Sequence, residues 1–304
     1  MSRNVRIIGV ATGRGAGDEG CQRGPDILRA RGLTAHLVRA GVPAQWHATL
    51  RASRNLPPLE AVRQLSTLQS QHVQRVGRNG AFPLVVGGDH SCGIGTWSGV
   101  ARTLRPRGTL GLVWIDAHMD AHVPSTSPTG NLHGMPLACL LGHGDGHLSA
   151  LAGAPALRPE HLCLIGIRSY EPGEAELLER LGVRVIHIDE VERRGLDAAL
   201  DEAIGIASRG TAGYGLSIDL DAIDPGDAPG VGTPVDGGLR AGELIDALAH
   251  RAGDPRLRAL EIAEYNPAHD TDGRTADLAV RLAGTVLGEP CSGSVAAERA
   301  RFAA

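Results

Sequence analysis

The sequence contains no lysine; all 30 of its basic residues are arginine. A Schiff-base lysine, a pyridoxal-phosphate lysine and the lysine of a Walker-type P-loop are therefore excluded. Aromatic residues make up only 3% of the chain, so a core has to be built from alanine, leucine, valine and isoleucine. The five cysteines, Cys21, Cys92, Cys139, Cys163 and Cys291, are odd in number and scattered, with no CxxC pair. That pattern predicts a reducing compartment and no disulfide framework. No apolar run approaches the roughly 20 residues that span a bilayer. The opening Met1-Ser2-Arg3-Asn4 leads straight into a strand-like run without the apolar stretch of a secretory signal. The expectation is a cytoplasmic chain. Net charge is −4 with no basic patch, which argues against nucleic acid or a membrane surface as partner.

What the chain does have is an alternation of short apolar runs and helical stretches over 304 residues. Strands are predicted at Val5–Val10, Phe82–Val86, Leu110–Ile115, Leu162–Ile167, Val183–Ile188, Tyr214–Ile218 and Ala259–Ala263. Most are continuously apolar, as in a parallel sheet covered on both faces. Helices are predicted at Pro25–Arg31, Leu59–Arg78, Gly95–Leu104, His133–Leu141, Pro172–Leu181, Leu196–Ser208, Ala241–Arg251 and Thr275–Leu287. Ala40–Pro58 reads as an irregular surface excursion. The fold class is α/β, as one doubly wound domain over residues 1–304. Ligands in such sheets gather at the carboxyl ends of the strands.

Three acidic motifs fall at those ends. Asp116-Ala117-His118-Met119-Asp120 follows Leu110–Ile115 and places three metal-binding side chains at alternate positions, which share a side on an extended backbone. Gly87-Gly88-Asp89-His90-Ser91 follows Phe82–Val86. Ser217-Ile218-Asp219-Leu220-Asp221 ends another strand. Aspartate often closes a strand merely as a turn former or helix cap, and Asp89 reads equally well that way. Asp224, before Pro225, reads as a turn that can also orient the cluster. The remaining His90, Asp116, His118, Asp120, Asp219 and Asp221 form a ligand set for two divalent cations, a hydrolytic device. A His/Asp set without cysteine suits manganese first, then cobalt, nickel, zinc or iron.

Two loops, His122–Asn131 and Asp224–Gly238, lie immediately downstream of these motifs and form natural pocket walls. His133 alone would be a helix-start residue, but beside two metals it becomes the candidate proton carrier. Glu264, at the end of Ala259–Ala263, is placed to bind a cationic substrate. Glu261 has the opposite strand parity and is expected on another face. His143, His147, His161, His187, His250 and His269 show no ligand spacing.

Together, Gly87–Ser91, Asp116–Asp120, Ser217–Pro225 and Glu264-Tyr265-Asn266-Pro267 resemble the ureohydrolase family. Thr129-Gly130-Asn131-Leu132-His133-Gly134 is closer to its arginase branch than to agmatinases. The resemblance runs from Gly24-Pro25 to Asn266-Pro267. It implies a three-layer α/β/α sandwich around a central, mostly parallel sheet, and a homo-oligomer, trimeric or hexameric. It implies two Mn²⁺ per subunit, one held by His90, Asp116, Asp120 and Asp219, the other by Asp116, His118, Asp219 and Asp221. It further implies attack on the guanidinium carbon of L-arginine to give urea and L-ornithine, with Glu264 pairing with the guanidinium, Asp120 accepting a proton and His133 delivering one to the leaving amine. Thr233 matches a pocket threonine of the family.

Departures cluster at the far end of the substrate. His122 stands where arginases usually carry the asparagine that contacts the α-carboxylate, and Thr129 replaces the usual serine, while Asn131 is retained. The typical Asp-Val-Asp-Pro-Gly-Glu run reads Ser169-Tyr170-Glu171-Pro172-Gly173-Glu174, so Glu171 and Glu174 would receive the α-ammonium. Alternative substrates are N-hydroxyarginine, homoarginine, 4-guanidinobutyrate, agmatine and formimidoylglutamate. More distant alternatives are a one-zinc amide deacetylase and a non-catalytic amino-acid-binding protein.

Overall fold

A computed structural model describes residues 3–288. Cys291 and the alanine-rich end after Ser294, where the sequence shows no docking helix, lie outside the described residues. The strands are β1 (Val5–Ala11), β2 (Ala44–Arg51), β3 (Phe82–Gly87), β4 (Leu110–Ile115), β5 (Leu157–Ile167), β6 (Arg184–His187), β7 (Tyr214–Asp219) and β8 (Leu257–Ala263). They form one sheet in the order β2-β1-β3-β8-β7-β4-β5-β6, and every strand pair is parallel.

Alternate residues of the apolar runs serve opposite faces, as the two-residue period of a strand requires. Leu84, Val86, Val113, Ile115, Leu216, Ile218, Leu260 and Ile262 pack with Leu28, Leu37, Leu200, Leu244 and Leu282. Val85, Leu112, Trp114, Ala259 and Ala263 pack on the other side with Leu65, Val73, Trp97, Leu140 and Leu178. The helices Gly24–Ala30, Leu33–Arg39, Leu196–Ser208, Ala241–Ala249 and Arg274–Leu287 thus cover one face. Pro58–Arg78, Cys92–Leu104, Pro136–Leu140 and Pro172–Leu181 cover the other, which completes the three layers.

The topology builds the site. The chain leaves β3 and makes β4 three positions away; β8 and β7 later fill the gap. Because all four run the same way, residues after Gly87, Ile115, Asp219 and Ala263 emerge side by side on one edge. Gly88 is needed at this edge, since a Cβ there would lie 1.8 Å from the Thr12 carbonyl oxygen.

Two expectations are corrected. Ala40–Pro58 is not irregular: Ala44–Arg51 is edge strand β2, paired in parallel with β1. Most of its residues are partly or fully exposed, so it carries little of the apolar signal of a buried strand. The predicted helix His133–Leu141 is split into a 3₁₀ turn, Leu132–Gly134, and a helix, Pro136–Leu140. Pro136 has no N–H to extend the first turn and starts the second segment instead. The short helix Leu33–Arg39, entered through left-handed Gly32 (φ 80°), has no counterpart in the sequence reading.

Candidate metal centre and its pocket

Asp116 leaves β4 still extended, with its N–H on the Ile165 carbonyl and His118 bridged to Ser169, so 116 and 118 keep the strand alternation. At Asp120 the backbone turns to φ 49°. The Asp219–Asp221 pair is set differently. Asp219 caps the 3₁₀ turn Leu220–Ala222, its Oδ1 accepting the Asp221 N–H at 2.8 Å, so a cap rather than strand alternation brings the two carboxylates together.

His90 Nδ1 lies 2.7 Å from Asp219 Oδ2 and 3.3 Å from both Asp116 Oδ2 and Asp120 Oδ2. His118 Nδ1 lies 3.1 Å from Asp221 Oδ2 and 3.5 Å from Asp116 Oδ1. Asp116 therefore turns one oxygen to each imidazole. Its position is fixed by N–H donation from Trp114 Nε1 at 2.8 Å and from the His118 backbone at 2.7 Å. The His90 ring stacks on Trp114 at 4.0 Å. All six predicted ligands converge, and all but His118 are buried.

The cluster is short of positive charge. Burial and neighbouring Asp116 push Asp120 up; burial, Asp221 and Asp116 push Asp219 up. Burial opposes a charged His90 and a charged His118, yet the surrounding aspartates raise both well above the ordinary imidazole value. His90 Nδ1 and Asp120 Oδ2, 3.3 Å apart, are both buried without a hydrogen-bond partner. Two orphaned ligand atoms among four carboxylates fit divalent cations, since an unpaired buried polar atom is otherwise costly.

Beside the cluster, Glu264 stands just past β8 with φ 64°. Only it and Asp120 have positive φ among the described non-glycine residues, and such strain concentrates at functional sites. Its Oε1 accepts from the His90 backbone N–H at 2.7 Å and pairs with His133 Nδ1 at 3.1 Å; Oε2 meets the Cys21 thiol at 3.3 Å. The parity argument that separated Glu261 from Glu264 is corrected here. Glu264 has left the strand, and both carboxylates approach His90, Glu264 at its backbone and Glu261 at 3.7 Å from Nε2. Asp89 is a loop clamp: it accepts from Thr12 Oγ1, Gly15 N–H and Ser91. That loop in turn receives the His133 N–H on the Gly15 carbonyl. Asp224 is a turn former, accepting from Gly226, Gly237 and Gly238.

Burial disfavours a charged His133, but the hydrogen bond and charge of Glu264 outweigh it and push the imidazole up to about 9. A raised folded value stabilises the protein fully below the unfolded value of about 6.5 and loses that contribution as pH rises through about 9. In metal-free protein, His133→Gln is expected to cost roughly 2–3 kcal/mol near pH ~6 and far less above pH ~10. Denaturant unfolding across that range checks it; a difference that does not narrow contradicts the pairing.

In a second cluster, His122 Nε2 lies 3.0 Å from Glu171 Oε2 and 3.4 Å from Glu174 Oε2, and Nδ1 lies 3.1 Å from Thr126 Oγ1. Glu171 and Glu174 also form the capping box of helix Pro172–Leu181, and Glu174 accepts the Ala121 N–H, which ties this helix to the Asp120 turn. Thr129 and Asn131 share a local turn, Thr129 Oγ1 accepting the Asn131 N–H. No hydrogen bond links either side chain to His122 among the described residues. Thr233 is on the metal side, its Oγ1 donating to Asp221 Oδ2 at 3.1 Å.

Sequence reasoning passed over Trp114, Thr126, Ser217, Cys21 and Arg168. Arg168 ties the Asp221 and Ala222 carbonyls to those of Val235 and Asp236, fixing the loop that follows β7 against the Asp221 turn. The one available signal was Ser217, inside a motif already singled out.

The chain matches the model of the Arginase family over residues 3–288. It is 38% identical to the arginase of Brevibacillus brevis over 300 residues, covering 95% of this chain and 99% of that one. Among solved structures it resembles arginase from Bacillus subtilis at a TM-score of 0.89 and 35% identity, covering 94% of this chain and 99% of the other. It also resembles the arginase of Entamoeba histolytica in complex with L-ornithine, at a TM-score of 0.87 and 27% identity, covering 95% and 100%.

Proposed function

The chain belongs to the arginase family, and from that premise we propose that it hydrolyses the guanidinium group of L-arginine to urea and L-ornithine, using two Mn²⁺ ions. The observation that carries the proposal is Asp116, which offers one carboxylate oxygen to His90 and the other to His118 inside a buried cluster of four aspartates. His90, Asp116, Asp120 and Asp219 would hold one ion; Asp116, His118, Asp219 and Asp221 the other. Oxygen-rich donors put manganese first; cobalt, nickel, zinc and iron accept the same side chains. Such a pair supplies a water acidified enough to attack near neutral pH.

The protein's own groups do the rest. Glu264 Oε1 is taken by His90 and His133, so Oε2, whose one partner here is the weakly donating Cys21 thiol, would take a guanidinium N–H and hold the substrate. Asp120, a buried carboxylate that would also ligate metal, would accept a proton. His133 holds a proton at the pocket edge, where it can pass to the leaving amine. Glu171 and Glu174 would receive the α-ammonium, and His122, Thr129 and Asn131 the α-carboxylate. Thr233 steadies Asp221 at the guanidinium end. Membership of the family also underlies our reading of a cytoplasmic homo-oligomer. Among the described residues no helix is long and apolar enough to cross a membrane.

The His122–Glu171 contact favours a second reading, a guanidino compound with a different head. Its imidazole is already engaged by the carboxylate that should meet the ammonium. His122→Asn with Glu171→Asp is expected to raise kcat/KM for L-arginine about tenfold, the worth of one good hydrogen bond. An equal change for every guanidino substrate contradicts this. The proposal itself is tested by urea release from L-arginine, N-hydroxyarginine, homoarginine, agmatine and 4-guanidinobutyrate by the Mn²⁺-loaded protein. L-Arginine is expected to lead. Urea from another member alone makes the head contacts a specificity switch, and urea from none refutes the proposal.

A further inference from the structure

One buried carboxyl group takes no part in the chemistry above. Glu261 lies in the middle of β8 with no solvent exposure. Its Oε1 accepts from Trp97 Nε1 at 3.0 Å and from Ser217 Oγ at 2.9 Å, and its Oε2 accepts from Thr96 Oγ1. Indole nitrogen only donates. Thr96 Oγ1 receives Gln69 Nε2 at 2.7 Å and faces two acceptors, Glu261 Oε2 and, at 3.2 Å, the Cys92 carbonyl. Ser217 Oγ gives its one hydrogen to Glu261 Oε1, which leaves it only an acceptor's role toward His90 Nε2 at 3.0 Å. Donors from Trp97, Ser217, Thr96 and, at 3.7 Å, the Cys92 thiol surround Glu261, an arrangement suited to a carboxylate, although burial pushes its carboxyl up. No basic side chain neutralises it among the described residues; the nearest imidazole nitrogen is His90 Nε2, at 3.7 Å.

We infer that Glu261 is a positioning residue for His90, acting through Ser217: the relay keeps a hydrogen on Nε2 and so presents the Nδ1 lone pair to a divalent cation. The inference rests on the metal centre proposed above. It accounts for two facts at once, a buried carboxyl group surrounded by donors with no basic side chain against it, and an imidazole whose Nδ1, facing three carboxylates, lacks a hydrogen-bond partner. Outer carboxylates of this kind fix the tautomer of a ligating histidine and strengthen it as a donor. If Glu261 merely anchored helix Cys92–Leu104 through Thr96 and Trp97, its charge would be irrelevant to the metals.

The test is an equilibrium Mn²⁺ titration of the full chain stripped with chelator, reading free Mn²⁺ by electron paramagnetic resonance. Wild type is expected to bind two ions. Glu261→Gln keeps the shape and an acceptor oxygen but removes the charge. It is expected to weaken one of the two sites by about 10–100-fold and leave the other within about threefold. Ser217→Ala, which cannot relay, is expected to weaken the same site should the glutamine variant fold poorly. The double variant is expected to be no weaker than the worse single one, because both changes break one chain. Trp97→Phe removes a Glu261 donor outside the relay and is expected to leave both sites within about threefold of wild type. Two wild-type-like sites in Glu261→Gln, or equal weakening of both, overturns the inference while leaving the metal centre standing. Wild type that does not take up two ions overturns the centre and the inference with it.

Discussion

Replacing Glu264 by glutamine is expected to lower kcat/KM for the guanidino substrate by roughly 10³-fold while the metal content stays at its wild-type value. One carboxylate oxygen is held by the His90 N–H at 2.7 Å and His133 Nδ1 at 3.1 Å, and a backbone φ of 64° aims the side chain across the sheet edge. A guanidinium seated there is desolvated against a buried carboxylate. Removing one partner of such a pair costs about 4 kcal/mol, the equivalent of ~10³ in rate. Glutamine would also turn an amide N–H toward guanidinium donors or toward the His90 N–H, and neither is an acceptor. Steady-state kinetics and metal analysis of the same preparation check this together. A loss under tenfold would place the guanidinium elsewhere; loss of metal would make Glu264 structural.

The second large effect is expected at Asp116. Asp116→Asn leaves one oxygen for two donors, Trp114 Nε1 and the His118 N–H, and removes the charge shared by the two imidazoles. Both cation positions depend on it, so activity is expected to fall by about 10⁴-fold or more, the scale on which an activated nucleophile is lost. Stability gives an independent readout. Ligand held at ~1,000 times its Kd stabilises by about 4 kcal/mol per site. For a chain of this size that corresponds to a rise in Tm of roughly 10 °C or more when two sites fill. Wild type is expected to show this rise with Mn²⁺ and to lose it with chelator; Asp116→Asn is expected to show little of it. A full metal-dependent rise in the variant would contradict the sharing of Asp116 between two ions.

The parts of this account that were legible in the sequence are those governed by periodicity. Continuous apolar runs ending in Asp, His or Gly identified the buried strands and the edge on which the ligands emerge, because a strand covered on both faces has no polar side to blur the pattern. All six candidate ligands could be named for that reason. What stayed hidden depended on position in the sheet or on tertiary partners. Edge strand β2 is mostly exposed, so its residues carry little of that pattern. The positive φ of Asp120 and Glu264 is imposed by surrounding structure, and nothing in either residue type announces it. Glu261 looked misplaced by strand parity alone, since its significance lies in Ser217 on the neighbouring strand and Thr96 and Trp97 on the helix above. In the second cluster, His122 was visible as a departure. Its engagement with both Glu171 and Thr126 needed the fold to bring a helix start and a loop together.

The central claim is that the strand-end cluster holds a pair of divalent cations. Anomalous scattering at the manganese edge, from crystals grown with Mn²⁺, tests it most directly. Two peaks are predicted, one beside His90 Nδ1 and one beside His118 Nδ1, with Asp116 reaching both. A single peak, or none among these six side chains, would contradict the account.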